Sequence, residues 1–90
     1  MRRPVTLQNA ETIALNALGF LVDSPDALDR FMHLSGVDAT TIRARAQERD
    51  FLAAVLDFLM ADEALLMDFC EATRTEPKVV QRAVYELSGL

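Results

Sequence analysis

Carboxylates are the residues of this sequence most able to do chemistry, and one of them, Asp57, interrupts an unusually apolar stretch, FLAAVLDFLMADEALLMDFC, at residues 51–70. Burial disfavours the charged form of a carboxyl group, so such a residue could be a functional acid with a raised pKa. Two alternatives are a buried ion pair with Arg43 or Arg45, which precede the stretch, and a position at a subunit interface. We expect the ion pair, because an unpaired buried charge is strongly destabilising.

Further acids follow Asp57, and no basic residue occurs between Arg49 and Arg74. Oxygen ligands of this kind can hold a hard cation, but their spacing lacks the glycine-centred pattern of an EF-hand loop. Asp62 and Glu63 are better interpreted as the N-cap and the first-turn acid of a helix, where the helix dipole favours negative charge. The sequence therefore predicts no metal site.

Nucleophilic chemistry has one conceivable pair, the single cysteine Cys70 and the single histidine His33. Each lies in a helical pattern between apolar neighbours, and a free cysteine is usually a small buried hydrophobic residue. The chain contains no GxSxG, P-loop, HExxH or GxGxxG motif. One cysteine cannot form an internal disulfide, and one cysteine with one histidine does not form a zinc site. These observations predict a protein without catalytic activity, cofactor or metal.

A helix-turn-helix pattern is visible in FMHLSGVDATTIRARA, with Gly36 at the turn, although Met32 and Arg45 stand where a small and an apolar residue are usual. A second candidate, FCEATRTEPKVVQRAV, has fitting residues at both of those positions but places Arg74 at the turn. The net charge of −5 counts against nucleic-acid binding, which depends on neutralising phosphates. DNA binding is therefore the alternative function, through Thr40, Thr41 and Arg43 or through Lys78, Gln81 and Arg82.

The composition indicates one small helical domain. The chain has 90 residues, too few for a second core, and 51% of them are hydrophobic, mostly Leu and Ala rather than β-branched. The longest uncharged run, between Glu11 and Asp23, is 11 residues, whereas a membrane span needs roughly 20. No signal-peptide cleavage pattern follows the first apolar segment. We expect residues 1–90 to form a single cytoplasmic domain in which residues 1–8 could be disordered.

Helix start and stop signals divide the chain into six short helices. The first begins after Thr6 or Asn9 and runs to about residue 22, and the second has Ser24 as its N-cap and Pro25 as its first residue. The others are expected after Asp38, over about 50–61, over 62–73, and from Pro77 to just before residue 89. The fold class is therefore all-α, a compact bundle of about six helices.

A shift of 38 residues aligns the two parts of the chain. Apolar residues match apolar residues, as in Phe20 with Phe58 and Phe31 with Phe69, and the cap Ser24 matches Asp62. We interpret this as two similar halves, each a helix, a helix and a short helix. The fourth helix offers few polar residues apart from Asp57, so we expect it to be the central helix, enclosed by the others.

The apolar stretch at 51–70, preceded by LSGVDATTIRARA and by AETIALNALGFL, resembles a family of small alphaproteobacterial proteins catalogued as a domain of unknown function. The resemblance covers about residues 10–87 and depends mainly on VLDFLMADEALL and the upstream RARA. It implies a compact all-helical protein in the bacterial cytoplasm and carries over no activity, cofactor or catalytic residue.

Together these patterns predict a protein–protein interaction or assembly module, with self-association as one form of it. No membrane association is expected. The candidate structural or interface residues are Asp57, Arg43, Arg45, Asp62 and Glu63.

Overall fold

Six α-helices make up most of the chain, which confirms the all-α prediction. The computed structural model describes residues 6–89, apart from the side chain of Leu7. Residues 7 and 8 belong to the first helix, and residues 1–5 lie outside the described residues. Disorder at the N-terminus stays a prediction. The helices are α1 (Leu7–Val22), α2 (Pro25–Ser35), α3 (Ala39–Arg45), α4 (Arg49–Met60), α5 (Glu63–Thr73) and α6 (Pro77–Ser88).

Side-chain caps explain where three of these helices begin. Thr6, Asp38 and Asp62 each accept a hydrogen bond from the backbone N–H three residues later, at the start of α1, α3 and α5. Such a cap satisfies one of the N–H groups that a helix leaves without an internal partner. Ser24 stands at the predicted N-cap of α2, but its hydroxyl makes no capping hydrogen bond. Pro25 follows it, and its fixed φ suits the first turn of a helix.

Three helices form the centre of the molecule. α1, α4 and α6 each pack extensively against the other two, while α2 packs on α1 and α5 packs mainly on α4. α3 makes no comparably extensive contact with another helix. The result is an elongated body of 39 × 25 × 17 Å. Within the described residues, no polar or charged side chain is buried.

Among the described side chains, α4 contributes more buried residues than any other helix. Contrary to the expectation, it is not enclosed on all sides. Leu52, Val55, Leu56 and Leu59 point into the core with at most 1% of their surface exposed. The opposite side of α4, which carries residues 50, 54, 57 and 61, is exposed. The expectation was wrong because it treated alanine like leucine. A methyl group buries little area, so leaving Ala54 and Ala61 in water costs little.

Aromatic contacts join the peripheral helices to this centre. The Phe31 ring of α2 lies edge-on against Phe51 and Phe58 of α4, with ring centroids 5.9 and 5.3 Å apart. Phe20 of α1 meets Phe69 of α5 in the same way at 5.6 Å. Edge-to-face geometry places the positive edge of one ring on the negative face of the other. α2 and α5 are therefore fixed to α1 and α4 by matched aromatic contacts.

Some helix bounds agree with the predicted 38-residue shift, but the packing of the helices does not. α2 and α5 have identical lengths and are 38 residues apart at both ends, and α3 and α6 begin 38 residues apart. The third helices nevertheless differ, because α6 packs against α1 and α4 whereas α3 lies at the periphery. Two structurally equivalent halves therefore remain a prediction.

Candidate interaction surfaces

Asp57 is exposed, which contradicts the predicted buried ion pair. Its side chain lies on the outer side of α4, on the same face as Ala54 and Ala61. Within residues 6–89, the Asp57 side chain forms no hydrogen bond or ion pair with Arg43, Arg45 or any other residue. An exposed carboxylate keeps its hydration, so it needs no partner inside the protein. The interface role of Asp57 stays a prediction.

Arg45 instead binds two acids at the start of α4. Its Nε donates to Glu48 Oε1 at 3.0 Å, and its Nη2 lies 3.5 Å from Asp50 Oδ2. The guanidinium also lies over the Phe51 ring, 5.3 Å from the centroid. These contacts hold the end of α3 against the first turn of α4. Arg43 is exposed on α3 and has no ion-pair partner in the described part of the chain.

Asp62 both caps α5 and ties it to α2. Its Oδ1 accepts from the Leu65 backbone N–H at 3.1 Å, and its Oδ2 accepts from Arg30 Nη2 at 2.9 Å. The Leu65 hydrogen bond is the main cause that lowers the pKa of Asp62 below its ordinary value, and Arg30 adds to it. Glu63 is the exposed first residue of α5, where its charge faces the positive end of the helix dipole.

The outer α5 face, defined by Glu63, Ala64, Met67, Asp68 and Glu71, is acidic around an apolar centre. All five residues are exposed, and Met67 leaves 49% of its surface in water. They face outward because α5 buries the opposite side with Leu65, Leu66, Phe69 and Cys70. None of the three acids pairs with a cation within residues 6–89.

Both predicted helix-turn-helix segments have a left-handed residue at the turn. Gly36 (φ 74°) ends α2, and its N–H donates to the Met32 carbonyl. Arg74 (φ 56°) ends α5 in the same way, and its N–H donates to the Cys70 carbonyl. The second helix differs, since α3 has 7 residues and α6 has 12. Only α6 is long enough to present several successive side chains to a groove of DNA.

The outer side of α6 carries the predicted DNA-binding residues of the second segment. Lys78, Gln81 and Arg82 are exposed, and together with Tyr85 they line a hollow of about 290 Å³. The Arg82 guanidinium lies 5.1 Å from the centroid of the Tyr85 ring. Both cations also have acidic neighbours. Lys78 Nζ lies 3.6 Å from Glu76 Oε2, and Arg82 Nε lies 3.7 Å from Glu86 Oε1.

In the first segment the predicted residues are presented less well. Thr40 and Arg43 are exposed, but Thr41 is half-buried and its backbone N–H donates to the Asp38 cap at 2.8 Å. The hydrogen bonds from Thr41 lower the pKa of Asp38, which stabilises a negative charge beside the proposed contact residues. This placement is unfavourable for binding phosphate.

Cys70 and His33 are not brought together as a nucleophilic pair. Cys70 is buried on the inner side of α5, and burial raises the pKa of its thiol. A raised pKa lowers the thiolate fraction and with it the reactivity. His33 is exposed on α2, and its imidazole forms no hydrogen bond or ion pair with any residue in the range 6–89.

Residues 6–89 contain neither a metal-binding cluster nor a membrane-spanning helix. No group of three or more His, Cys, Asp or Glu side chains is placed to hold a metal ion. No described helix is both long and apolar enough to cross a membrane.

A groove that the sequence did not predict lies between α1 and the α3–α4 connection. It measures about 390 Å³ and has Leu52 as part of its lining. Its remaining residues come from positions distant in sequence, so no local pattern could have revealed it. They are Gln8, Glu11, Thr12, Leu15, Ala46 and Gln47.

The family model described as a protein of unknown function (DUF3572) matches residues 7–90. No curated protein and no solved structure matches the chain. The match covers all six helices, and on this basis the chain belongs to the DUF3572 family.

Proposed function

We propose that the protein is a non-catalytic protein–protein interaction or assembly module and that the outer α5 face is its binding surface. The observation that carries the proposal is the exposed Met67 at the centre of a helix face whose charged residues are all unpaired acids. An apolar side chain ringed by charges of one sign provides contact area together with a preference for partners of the opposite charge.

The charge of this surface defines the partner. Glu63, Asp68 and Glu71 give the face three negative charges, and α5 contains no basic residue. We therefore expect a protein that presents Lys or Arg side chains around an apolar residue, with a helix as the simplest shape that fits a helical face. The unbranched thioether of Met67 can adapt to several apolar shapes, which suits a contact surface.

The same proposal includes the absence of catalysis and a cytoplasmic setting. The buried thiol of Cys70 and the exposed, isolated His33 support a non-catalytic role. A single cysteine without a disulfide partner in the chain supports a reducing compartment.

Site-specific photo-crosslinking in cells of the source organism tests the binding surface. A photoreactive amino acid at position 67 should give a discrete crosslinked product that contains a basic protein. The matched control is the same amino acid at Asn16, which is exposed on α1 outside the acidic face. Equal products from both positions, or none from position 67, would contradict the proposal.

Charge removal then tests the role of the acids. The triple variant Glu63→Gln, Asp68→Asn and Glu71→Gln should abolish the crosslink from position 67 without changing the fold. A control triple variant removes the same charge from Asp23, Asp26 and Asp29, three exposed acids of the α1–α2 region. If both triple variants weaken the crosslink equally, only the overall charge matters and the face has no special role.

DNA binding through α6 is the second candidate function. It is favoured by the exposed row of Lys78, Gln81, Arg82 and Tyr85 on one side of a 12-residue helix. Arginine and glutamine can each form paired hydrogen bonds with a base edge in the major groove. The acidic neighbours Glu76 and Glu86 and the net charge of −5 weigh against it.

A DNA titration decides between the two functions. If the module interpretation is correct, the protein should show no salt-dependent binding to duplex DNA at moderate ionic strength. A sequence-dependent gel shift that is lost in Arg82→Ala, and retained in the control Arg30→Ala on α2, would favour DNA binding. If the gel shift were instead lost in Arg43→Ala and retained in Arg82→Ala, the DNA-binding residues would be those of the first helix-turn-helix segment.

A further inference from the structure

The groove beside α1 combines a carboxylate, amides and an apolar floor. Gln8, Glu11, Thr12 and Leu15 lie at i, i+3, i+4 and i+7, so they share one face of α1. Gln47 lines the groove from the α3–α4 connection, together with Ala46.

Leu52 is only 1% exposed and belongs to the core, whereas Leu15 is 45% exposed at the groove. The apolar lining is therefore continuous with the hydrophobic core. A volume of about 390 Å³ falls within the usual range of small-ligand sites, roughly 300–1,000 Å³.

The charged group among the described residues of the groove is a carboxylate. Glu11 is half-buried, and its carboxylate has no hydrogen bond or ion pair within residues 6–89. The Thr12 hydroxyl already donates to the Gln8 backbone carbonyl at 3.2 Å, which leaves its oxygen available as an acceptor. Gln8 and Gln47 add amide oxygens as acceptors and amide N–H groups as donors, and none of the described residues that line the groove is Lys or Arg. One formal negative charge beside an apolar surface suits a ligand with a cationic head and an alkyl stem.

We propose that this groove binds a small aliphatic amine. Its ammonium group is held by Glu11 with the help of the Gln8 and Gln47 amide oxygens. Its alkyl stem lies on Leu15 and Ala46 above Leu52. A charge-assisted hydrogen bond to the carboxylate fixes the head, and the apolar stem provides the area that leaves water. The outer α5 face takes no part, so this site is independent of the proposed protein interaction.

Amide chemical-shift mapping by NMR with hexylamine tests the site on the full chain. Hexylamine should shift the amides of residues 8–15 and 46–52 with saturation in the millimolar range or below. Hexanol, which has the stem without the charge, and hexanoate, which has the opposite charge, should bind at least about tenfold more weakly. A short lysine-containing peptide should also bind more weakly than hexylamine.

Two matched variants localise the charge effect. Glu11→Gln keeps the shape of the side chain and should weaken hexylamine binding by about tenfold or more. Glu63→Gln removes an equivalent charge from the outer α5 face and should leave the affinity for hexylamine unchanged.

A third variant tests the apolar lining. Leu15→Ser should weaken the binding of hexylamine more than the binding of methylamine, because only the longer amine uses the apolar lining.

Several results would overturn the assignment. Equal affinity for hexylamine and hexanol would remove the role of Glu11, as would equal effects of Glu11→Gln and Glu63→Gln. Shifts centred on other helices, or no binding at high millimolar concentration, would show that the groove is not an amine site. Tighter binding of the lysine peptide would assign it to a basic side chain of a protein partner.

Discussion

Arg30 Nη2 donates to Asp62 Oδ2 at 2.9 Å and thereby joins the middle of α2 to the first turn of α5, 32 residues further along the chain. The same guanidinium lies 5.7 Å from the centroid of the Phe58 ring near the end of α4. One arginine thus contacts the helix cap of α5 and a half-buried aromatic residue of α4. The contact is largely exposed, so its effect is chiefly to orient α2 rather than to supply much stability.

Asp38 and Asp62 should make the protein sensitive to acid. Hydrogen bonds that these carboxylates accept from the backbone N–H groups of Thr41 and Leu65 lower the pKa of both groups below the ordinary aspartate value, so the folded state holds their protons more weakly than the unfolded state does. The resulting stability is fully present well above the unfolded-state pKa of about 3.9 and is lost as the pH falls through the lowered folded-state values. The variant Asp38→Asn/Asp62→Asn should therefore be less stable than wild type at pH 6, and this difference should shrink towards pH 2.

Urea denaturation between pH 2 and pH 6 measures the effect. The control Asp29→Asn/Asp68→Asn removes the same charge from exposed residues that cap no helix. If the difference in the free energy of unfolding between wild type and the cap variant did not change with pH, the lowered pKa values would not contribute to stability.

The sequence was most informative where a local rule decides the structure. Pro25, Gly36 and Asp62 marked helix ends correctly because caps and turns depend on residues only a few positions away. It failed for Asp57, because the choice between core and solvent depends on how α4 is rotated against α1 and α6. The Arg30–Asp62 contact and the groove at Glu11 were missed for the same reason. Each joins residues that only the packed fold brings together.

Arg74 adopts the left-handed conformation that is easy only for glycine, so Arg74→Gly should stabilise the protein. The left-handed region costs a side-chain-bearing residue roughly 1–2 kcal/mol, and the greater freedom of glycine in the unfolded chain offsets part of this gain. We expect a net increase of about 0.5–1 kcal/mol in the free energy of unfolding.

Gly36→Ala gives the reciprocal experiment at the corresponding turn. A Cβ added at Gly36 meets no atom within 4 Å, so its effect isolates the backbone cost. We expect a loss of about 1 kcal/mol by urea denaturation. Opposite signs from the two variants would support the shared turn geometry, and a destabilising Arg74→Gly would contradict it.

The core assignment of α4 predicts a graded response to truncation. Leu56 is fully buried, so Leu56→Ala should lower the free energy of unfolding by about 2–5 kcal/mol. Phe58 is half-buried against Phe31 and Arg30, so Phe58→Ala should cost less than a fully buried phenylalanine. Ala54→Gly serves as an exposed control on the same helix and should cost about 1 kcal/mol through helix propensity alone. Changes within error at both 56 and 58 would contradict the placement of α4.

Substitutions of Asp57 test whether its side chain faces solvent, forms an ion pair or lies at a subunit contact. Because its carboxylate is exposed and unpaired in residues 6–89, Asp57→Asn and Asp57→Leu should each change the free energy of unfolding by no more than about 0.5 kcal/mol. Val55→Asp is the contrasting control, since it places a carboxylate at a position with 0% exposure and should be severely destabilising.

Light scattering coupled to size exclusion separates the remaining alternatives for Asp57. An unchanged mass with unchanged stability is expected if the residue simply faces solvent. If Asp57→Leu altered the mass while the protein stayed folded, the exposed side of α4 would be a subunit contact. A loss of about 3–5 kcal/mol at constant mass would mean that the charge is paired inside the monomer, against the observed orientation of α4. Ala54 and Ala61 flank Asp57 on an exposed helix face that also carries Asp50, and both carboxylates favour contact of that face with water, so we expect the first result.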